Sequence, residues 1–451
     1  MKKLNIFFLT TTILMVSASL SISSCSQEFD NPNATTTKTA LNTKEGLLAL
    51  SVGVRQLYST SGERFIIETP ATTAREVAST STFLTLMELE DGGNIPNFNT
   101  DTEGLWATLY RVMGMTEGIY AGAEITQLDP GTKSGIKAYA NLFRAMSIGN
   151  LSINFEQVVL KTSFDNSSAF VPRQQGLLEA IRLLEEAKSL LATTPASSEF
   201  TDAVLGTNID LTNTINLMLA RFYLYAGNYD NAITNANLVS KTSTSVFVYD
   251  SLNSNPIWDR GVAGHADNGG NFYSPQDNFG LPTSIFTFAP NDGRLSFYLT
   301  PSSATSPNHY AIEKMKGFNL TQSSPMPIYI PDEANLILAE ANLRKASPNI
   351  AASVAALNEV LTDTNDPFGV NANVAPYSGT MDVNSILLEI YKNRRAELYL
   401  SGSCLEDSRR FGRPQPTPGS GHYSDERNRN FYPYASKERD NNPNTPADPS
   451  I

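Results

Sequence analysis

The 451-residue sequence has only two cysteines, three histidines and two tryptophans, and each shortage closes off a kind of chemistry. Cys25 and Cys404 cannot build the disulfide framework that staples small secreted domains, so stability has to come from a packed core. His265, His309 and His422 all fall in loop-like sequence and read as surface histidines, which leaves metal and triad chemistry little to work with. No HExxH helix, Walker A loop, dinucleotide glycine fingerprint or GxSxG elbow occurs. The stretch "GTKSG" (131–135) sets a lysine beside a serine but lacks the spaced first glycine of a phosphate loop. Basic residues are scarce too: 33 Lys+Arg stand against 45 Asp+Glu, a formal net charge of −12. No basic stripe interrupts that field, so no nucleic-acid partner is expected. Carboxylates are plentiful, but nothing marks a pair placed for glycoside hydrolysis, and no catalytic residue, metal or cofactor is expected.

What is present begins with enough apolar residues for a large core: 41% hydrophobic and 17% charged. Met1-Lys2-Lys3 is a basic start, "IFFLTTTILMVSASL" an apolar run diluted by Thr and Ser, and Ser23-Ser24 precede Cys25. The run is too short and too diluted for a convincing membrane span and reads as a secretory leader, residues 1–24. An apolar residue, two small residues and a cysteine resemble the bacterial lipobox, which makes Cys25 the expected lipid attachment point and the membrane anchor. The plain alternative is a secreted protein with a cysteine near its cleavage site. Loss of Lys2 and Lys3 with the leader takes the charge from −12 to −14. Residues 25–43 are polar and rich in Asn, Thr and Pro, as a flexible tether would be. Cys404, left without a partner, is expected to be buried and inert.

From residue 44 onward helical spacing dominates, and 44–451 is read as a single domain. Leu47, Leu50, Val54 and Tyr58 recur at intervals of three and four, as do Leu105, Leu109, Val112 and Ile119. The amphipathic run "QQGLLEAIRLLEEAKSLL" sets Leu177, Ala180, Leu184 and Ala187 on one face. "TINLMLARFYLYAGNYDNAITNANLVSKT" reads as two helices around a Gly-Asn break, with Ala220, Ala232 and Ala236 among Tyr223 and Tyr229; this resembles a tetratricopeptide hairpin. "PDEANLILAEANLRKASPNIAASVAALNEVL" repeats the plan, with Pro331 at a helix start. One block, about 242–324, interrupts the helices and is rich in Gly, Asn, Pro and aromatics; loops that long are usually functional. The fold class expected is mainly α: a TPR-like helical-repeat scaffold carrying long irregular loops.

The stretch "NRRAELYLSGSCLEDSRRFGRP" (393–414) resembles the C-terminal hallmark of the SusD/RagB family through Arg394, Glu397-Leu398, Gly402, Asp407 and Arg409-Arg410. Arg144-Ala145, Asp292 with Arg294, Ala339-Glu340-Ala341, and Pro433, Glu438 and Asn442-Pro443 resemble four further family segments in the same order. The chain departs from the pattern at Ser401, Cys404, Gly293, Phe155-Glu156, Val159 and Ala435, so it resembles a divergent, SusD-like member. The hallmark charges have a bland reading as well: they pair and fix the end of a helix and the chain leaving it.

The resemblance implies a surface lipoprotein of the outer membrane that captures oligosaccharides, or peptides, and passes them to a TonB-dependent, SusC-like barrel, without catalysis. A helical-repeat scaffold for envelope assembly and a surface glycosidase are the alternatives. A sugar ligand calls for flat aromatic faces beside Asn, Asp, Gln or Arg. The long block supplies Trp258, Phe272 and Tyr273 with Asn268, Asn271, Gln276 and Asp277, then Tyr310. Trp258 lies in "NPIWDR", which resembles a buried family segment, so it reads first as a structural ring, and Trp106 resembles a helical core position of the family. Arg64, Arg75 and Phe98, in the first long loop, form a second set.

Overall fold

The apolar spacing at Leu47 and Val54 becomes helix α1 (Lys44–Leu57), whose N-terminal N–H of Gly46 is capped by the Thr43 hydroxyl at 3.2 Å. The computed structural model describes residues 37–162, 167–263, 271–416 and 426–451. Cys25, the leader, His265, Asn268 and His422 lie outside them. The chain divides into two compact units, Met1–Ala40 and Leu41–Ile451. Of the first, one helical turn, Thr37–Ala40, is described. All that follows concerns the second.

A π-turn at Tyr58–Gly62 carries α1 into α2 (Glu63–Thr73). After strand β1 (Val77–Ser79) and α3 (Leu84–Asp91) come two long helices, α4 (Thr100–Ile125) and α5 (Pro130–Asn154), started by the side-chain caps Asn99 and Asp129. Leu105, Leu109, Val112 and Ile119 are all buried on α4, as their spacing predicts. α5 is buried nearly all round, and its buried positions include the polar Thr132, Asn141, Ser147, Ser152 and Asn154 as well as its apolar residues. The short strands β2 (Gln157–Val159) and β3 (Phe170–Pro172) pair antiparallel and lead into α6 (Arg173–Thr193). On α6 the stripe Leu177, Ala180, Leu184 and Ala187 packs inward, and Arg182 pairs with Glu179 and Glu186 on the outer face.

The tetratricopeptide-like hairpins form as read. α7 (Leu211–Tyr225) and α8 (Tyr229–Ala236) fold back on each other across Gly227 (φ 78°), with Ala220, Ala232 and Ala236 buried between neighbours. α11 (Asp332–Arg344) and α12 (Ile350–Leu361) repeat the arrangement, and α13 (Val383–Glu397) completes a second apolar cluster through Ile386 and Ile390. Each Leu or Ile buried in these seams contributes about 1.5–3 kcal/mol.

Between the hairpins, the block at 242–324 is more ordered than its composition suggests. It holds β4 (Val246–Phe247), α9 (Pro256–Gly261), β5 (Tyr273–Pro275), α10 (Gly293–Tyr298), and the hairpin β6 (Leu299–Thr305) with β7 (Ala311–Met315). Its partners are remote in sequence: β5 pairs antiparallel with β1, and β4 with β8 (Met326–Pro327). Local periodicity carries no trace of such pairings.

The hallmark charges form a buried frame. On α13 and α14 (Cys404–Arg410), Arg394 donates to both oxygens of Asp407 at 2.8 and 3.1 Å. Arg410 holds Glu340 of α11 at 2.7 and 2.8 Å and also reaches Asp407 at 2.8 Å. Arg294 donates to Asp292 (2.7 and 2.9 Å), to the side-chain amide oxygen of Asn393 (2.8 Å) and to Glu397 (3.3 Å). Arg394 and Glu397 therefore do not pair with each other; each is claimed by a residue from another element. Gly402 closes the motif at φ 81°, where a Cβ would lie 2.6 Å from the Ile66 carbonyl oxygen. Gly402→Ala is expected to cost roughly 1–3 kcal/mol through backbone strain, read as a lowered urea midpoint. Cys404 is buried, and burial pushes its thiol well above the ordinary range, as an inert cysteine requires.

The closing segment straps across the helices. Asn428 N–H donates to the Thr73 carbonyl and Tyr432 N–H to that of Asn154. α15 (Ser436–Asn441) brings Glu438 to the indole N–H of Trp106 at 3.3 Å, and Trp106 packs among Tyr110, Phe155, Phe170 and Tyr434. Trp106 is core, as its sequence setting indicates.

Candidate functional site

The first long loop expected from the sequence is largely helical, with Arg64 on α2 and α3 following β1, and it meets the 242–324 block. Strand pairing of β1 with β5 starts the contact, and Thr80 extends it by donating its N–H to the Phe272 carbonyl (3.0 Å) and its hydroxyl to that of Asn271 (2.5 Å). Gly280 packs so tightly on Arg75 that a Cβ there would overlap the Arg75 carbonyl oxygen. Glu68 and Arg260 tie α2 to α9 through paired hydrogen bonds. The Gln276–Ile312 bridge then links β5 to β7.

This assembly changes what several predicted residues can offer. Phe272 is only 8% exposed because its ring lies between the Phe83 ring (4.9 Å between centroids) and the Arg260 guanidinium (4.2 Å). Tyr273 is 1% exposed, and burial pushes its phenol well above the usual range. Gln276 is buried and donates its side-chain amide to the Val77 carbonyl at 3.3 Å. The expectation that rings in Gly/Asn-rich sequence stand free thus meets a correction: pairing of β5 with β1 draws both rings into the core, where they present no open face. Asn271 and Trp258 are half-buried, Asp277 is exposed, and Tyr310 is half-buried with the Arg75 guanidinium 5.4 Å from its ring centre. Of the second set, Phe98 is 65% exposed, Arg64 is partly exposed and paired with Asp101 (3.1 Å), and Arg75 is buried.

The exposed apolar side chains here are ones the sequence reading passed over. Phe83, Leu84 and Met87, at the start of α3, stand out to solvent, with Leu84 69% exposed. The Asn99 amide donates to the Thr85 carbonyl at 3.0 Å, which pins the segment bearing Phe98 to the same helix. The signal lay in "TFLTLMELED": Leu86 and Leu89 suffice for the buried face of a short helix, so Leu84 and Met87 are surplus apolar groups on the outer one. Beneath them Glu90 is fully buried; burial raises its carboxyl, opposed by the Ser79 N–H, the Asn308 amide and Arg75. Glu313 is raised as well, by burial first and then by Asp277. Among the described residues no three His, Cys, Asp or Glu side chains converge in a metal-binding group, and no helix is long and apolar enough to cross a membrane.

Helical hairpins of tetratricopeptide type beneath a face made of long loops define a SusD-like fold. Solved structures carry the same architecture: a SusD superfamily protein of Bacteroides thetaiotaomicron superposes with a TM-score of 0.69 at 16% identity, covering 90% of this chain and all of the other. NanU of Bacteroides fragilis gives 0.68 at 14%, covering 93% and 99%. A SusD-like carbohydrate-binding protein of Bacteroides fragilis gives 0.66 at 14%, covering 90% and 100%. No protein-family model matches the sequence, and no curated protein does. At such identities the shared property is the fold.

Proposed function

We propose that this chain is a divergent SusD-type nutrient-binding lipoprotein, held in the outer membrane through a lipid on Cys25 and working with a TonB-dependent, SusC-like barrel. The face around α3, β5 and the β6–β7 hairpin captures its ligand, an oligosaccharide. The observation that carries the reading is the group of exposed apolar side chains, Phe83, Leu84, Met87 and Phe98, on a segment tied to Asn271 through Thr80 and to the hairpin of Tyr310 through Glu90, on a SusD-like frame. Rings stack on the apolar face of a sugar while amide and phenol groups meet its hydroxyls. The fold is shared with proteins described as carbohydrate-binding, and the "SISSC" ending of the leader supports the lipid anchor. Leu84 and Met87 are aliphatic rather than flat, which favours a second reading in which the ligand is a peptide with apolar side chains.

The test is titration of the soluble form lacking residues 1–25 with neutral and acidic oligosaccharides and with apolar peptides. Phe98→Ala and Tyr310→Ala should each weaken binding about tenfold, the loss of roughly 1.4 kcal/mol that one stacked ring supplies. Glycan length should be unchanged after long incubation. Binding of none of these ligands, with no barrel recovered on purification from the envelope, would remove the proposal and leave the scaffold role.

A further inference from the structure

Glu90 has no access to solvent, yet three separate pieces of the ligand face hang from it. Its carboxylate accepts the Ser79 N–H of β1 at 2.9 Å and the side-chain amide of Asn308 from the tip of the β6–β7 hairpin. Its backbone carbonyl accepts the Arg75 guanidinium at 2.7 Å, and the same guanidinium lies against the Tyr310 ring. The carbonyl also takes the amide of Asn428, from the closing strap, at 2.6 Å. Arg75 holds this place at φ 68° and His309 turns the hairpin tip at φ 66°, both in the left-handed region that L-residues occupy only under constraint. Within the tip, Ser306 N–H donates to the Tyr310 carbonyl and Tyr310 N–H to the Ser306 hydroxyl, so residues 306–310 move as a unit.

We infer that Glu90 is the anchor of the ligand face, and that Asn308 and Arg75 are positioning residues which act through it to hold Tyr310 and the hairpin tip against the C-terminal end of α3, the helix whose start carries the apolar patch. None of the three has to touch ligand. The consequence is mechanical: Tyr310 and the Phe83–Met87 patch keep a fixed spacing, and a ligand spanning both meets a pre-set pair instead of ordering a free hairpin. This rests on the reading of that face as the ligand face.

Two variants test it, Asn308→Ala and Glu90→Gln, the second retaining an acceptor for Ser79. Two measurements need no ligand: amide hydrogen exchange over 303–311, and the rate at which tetranitromethane modifies Tyr310. In Asn308→Ala, exchange across 306–310 should rise about tenfold and Tyr310 modification severalfold, while exchange in α4 and α5 stays at the wild-type rate; Glu90→Gln should fall between. If an oligosaccharide binds the wild type, its affinity should drop about tenfold in Asn308→Ala with the melting temperature unchanged, a split that a purely structural residue does not give. Exchange and modification within twofold of wild type in both variants would overturn the anchor. A wild type that binds no oligosaccharide, with both variants still loosening the tip, would overturn the function and leave the anchor standing.

Discussion

Asp407→Ala is expected to destabilise the protein by about 3–5 kcal/mol, the largest loss anticipated from any single side chain discussed above. Asp407 is 3% exposed and takes three hydrogen bonds, two from Arg394 and one from Arg410. Burial pushes its carboxyl up, but Arg394 and Arg410 overcome that and hold it below the ordinary range. Its removal takes from the fully buried Arg394 the carboxylate that accepts its two hydrogen bonds, whereas Arg410 keeps Glu340. An uncompensated buried guanidinium accounts for most of the cost, which is why replacing the Arg394–Asp407 pair together by Met and Leu should cost far less than either single change. Urea denaturation of the two single variants and the double variant checks this, and equal losses for single and double would refute it. The charges that resemble a family hallmark are thus fixtures of the fold.

Stability should rise as the pH is lowered from 8 to about 5. Burial pushes the carboxyl of Glu63 up to about 8 and those of Glu76 and Asp332 up to about 7, against opposing pulls from Arg221, Arg395 and Asn335. Glu63 is partly buried and lines a cavity of about 60 Å³ with Tyr58, Asn150 and Arg221, a volume that accommodates a few water molecules at most. In the unfolded chain the same groups lose their protons near pH 4. Between about pH 4 and pH 7–8 the folded state therefore binds more protons than the unfolded state, and its stability falls as pH rises. The slope is about 1.4 kcal/mol per pH unit for each group inside its window. The contribution is complete below pH 4 and gone above about pH 8. Glu340, Glu406 and Asp407 run the other way: burial raises them, their arginines more than offset it, and protonation below about pH 4 breaks the frame. A maximum near pH 5 follows. Calorimetry from pH 4 to 9 measures it, and Glu63→Gln should flatten the slope between pH 5 and 8; a melting temperature that climbs steadily to pH 8 would contradict the assignment.

The helical part of the fold was legible because its cause is local. Leu177, Ala180, Leu184 and Ala187 recur at the period of one helix, and burial of that stripe follows wherever the helix packs. The alanines of α7 and α8 announced close packing in the same way. The motif charges were legible in position but not in partner: Arg394 lies three residues from Glu397 yet binds Asp407, and Glu397 is met by Arg294 from about a hundred residues earlier.

The site was another matter. Phe272 and Tyr273 read as free rings in loop sequence; the pairing of Ser79 with Tyr273, nearly two hundred residues apart, and the packing of Phe272 between Phe83 and Arg260 bury them. Phe83, Leu84 and Met87 stay exposed because Leu86 and Leu89 already fill the buried face of α3. By itself, then, the sequence determined the helices, their seams and the positions of the frame's charges, because period and capping are properties of neighbouring residues. Which rings stay exposed was decided by tertiary structure alone, since exposure depends on what a distant segment covers.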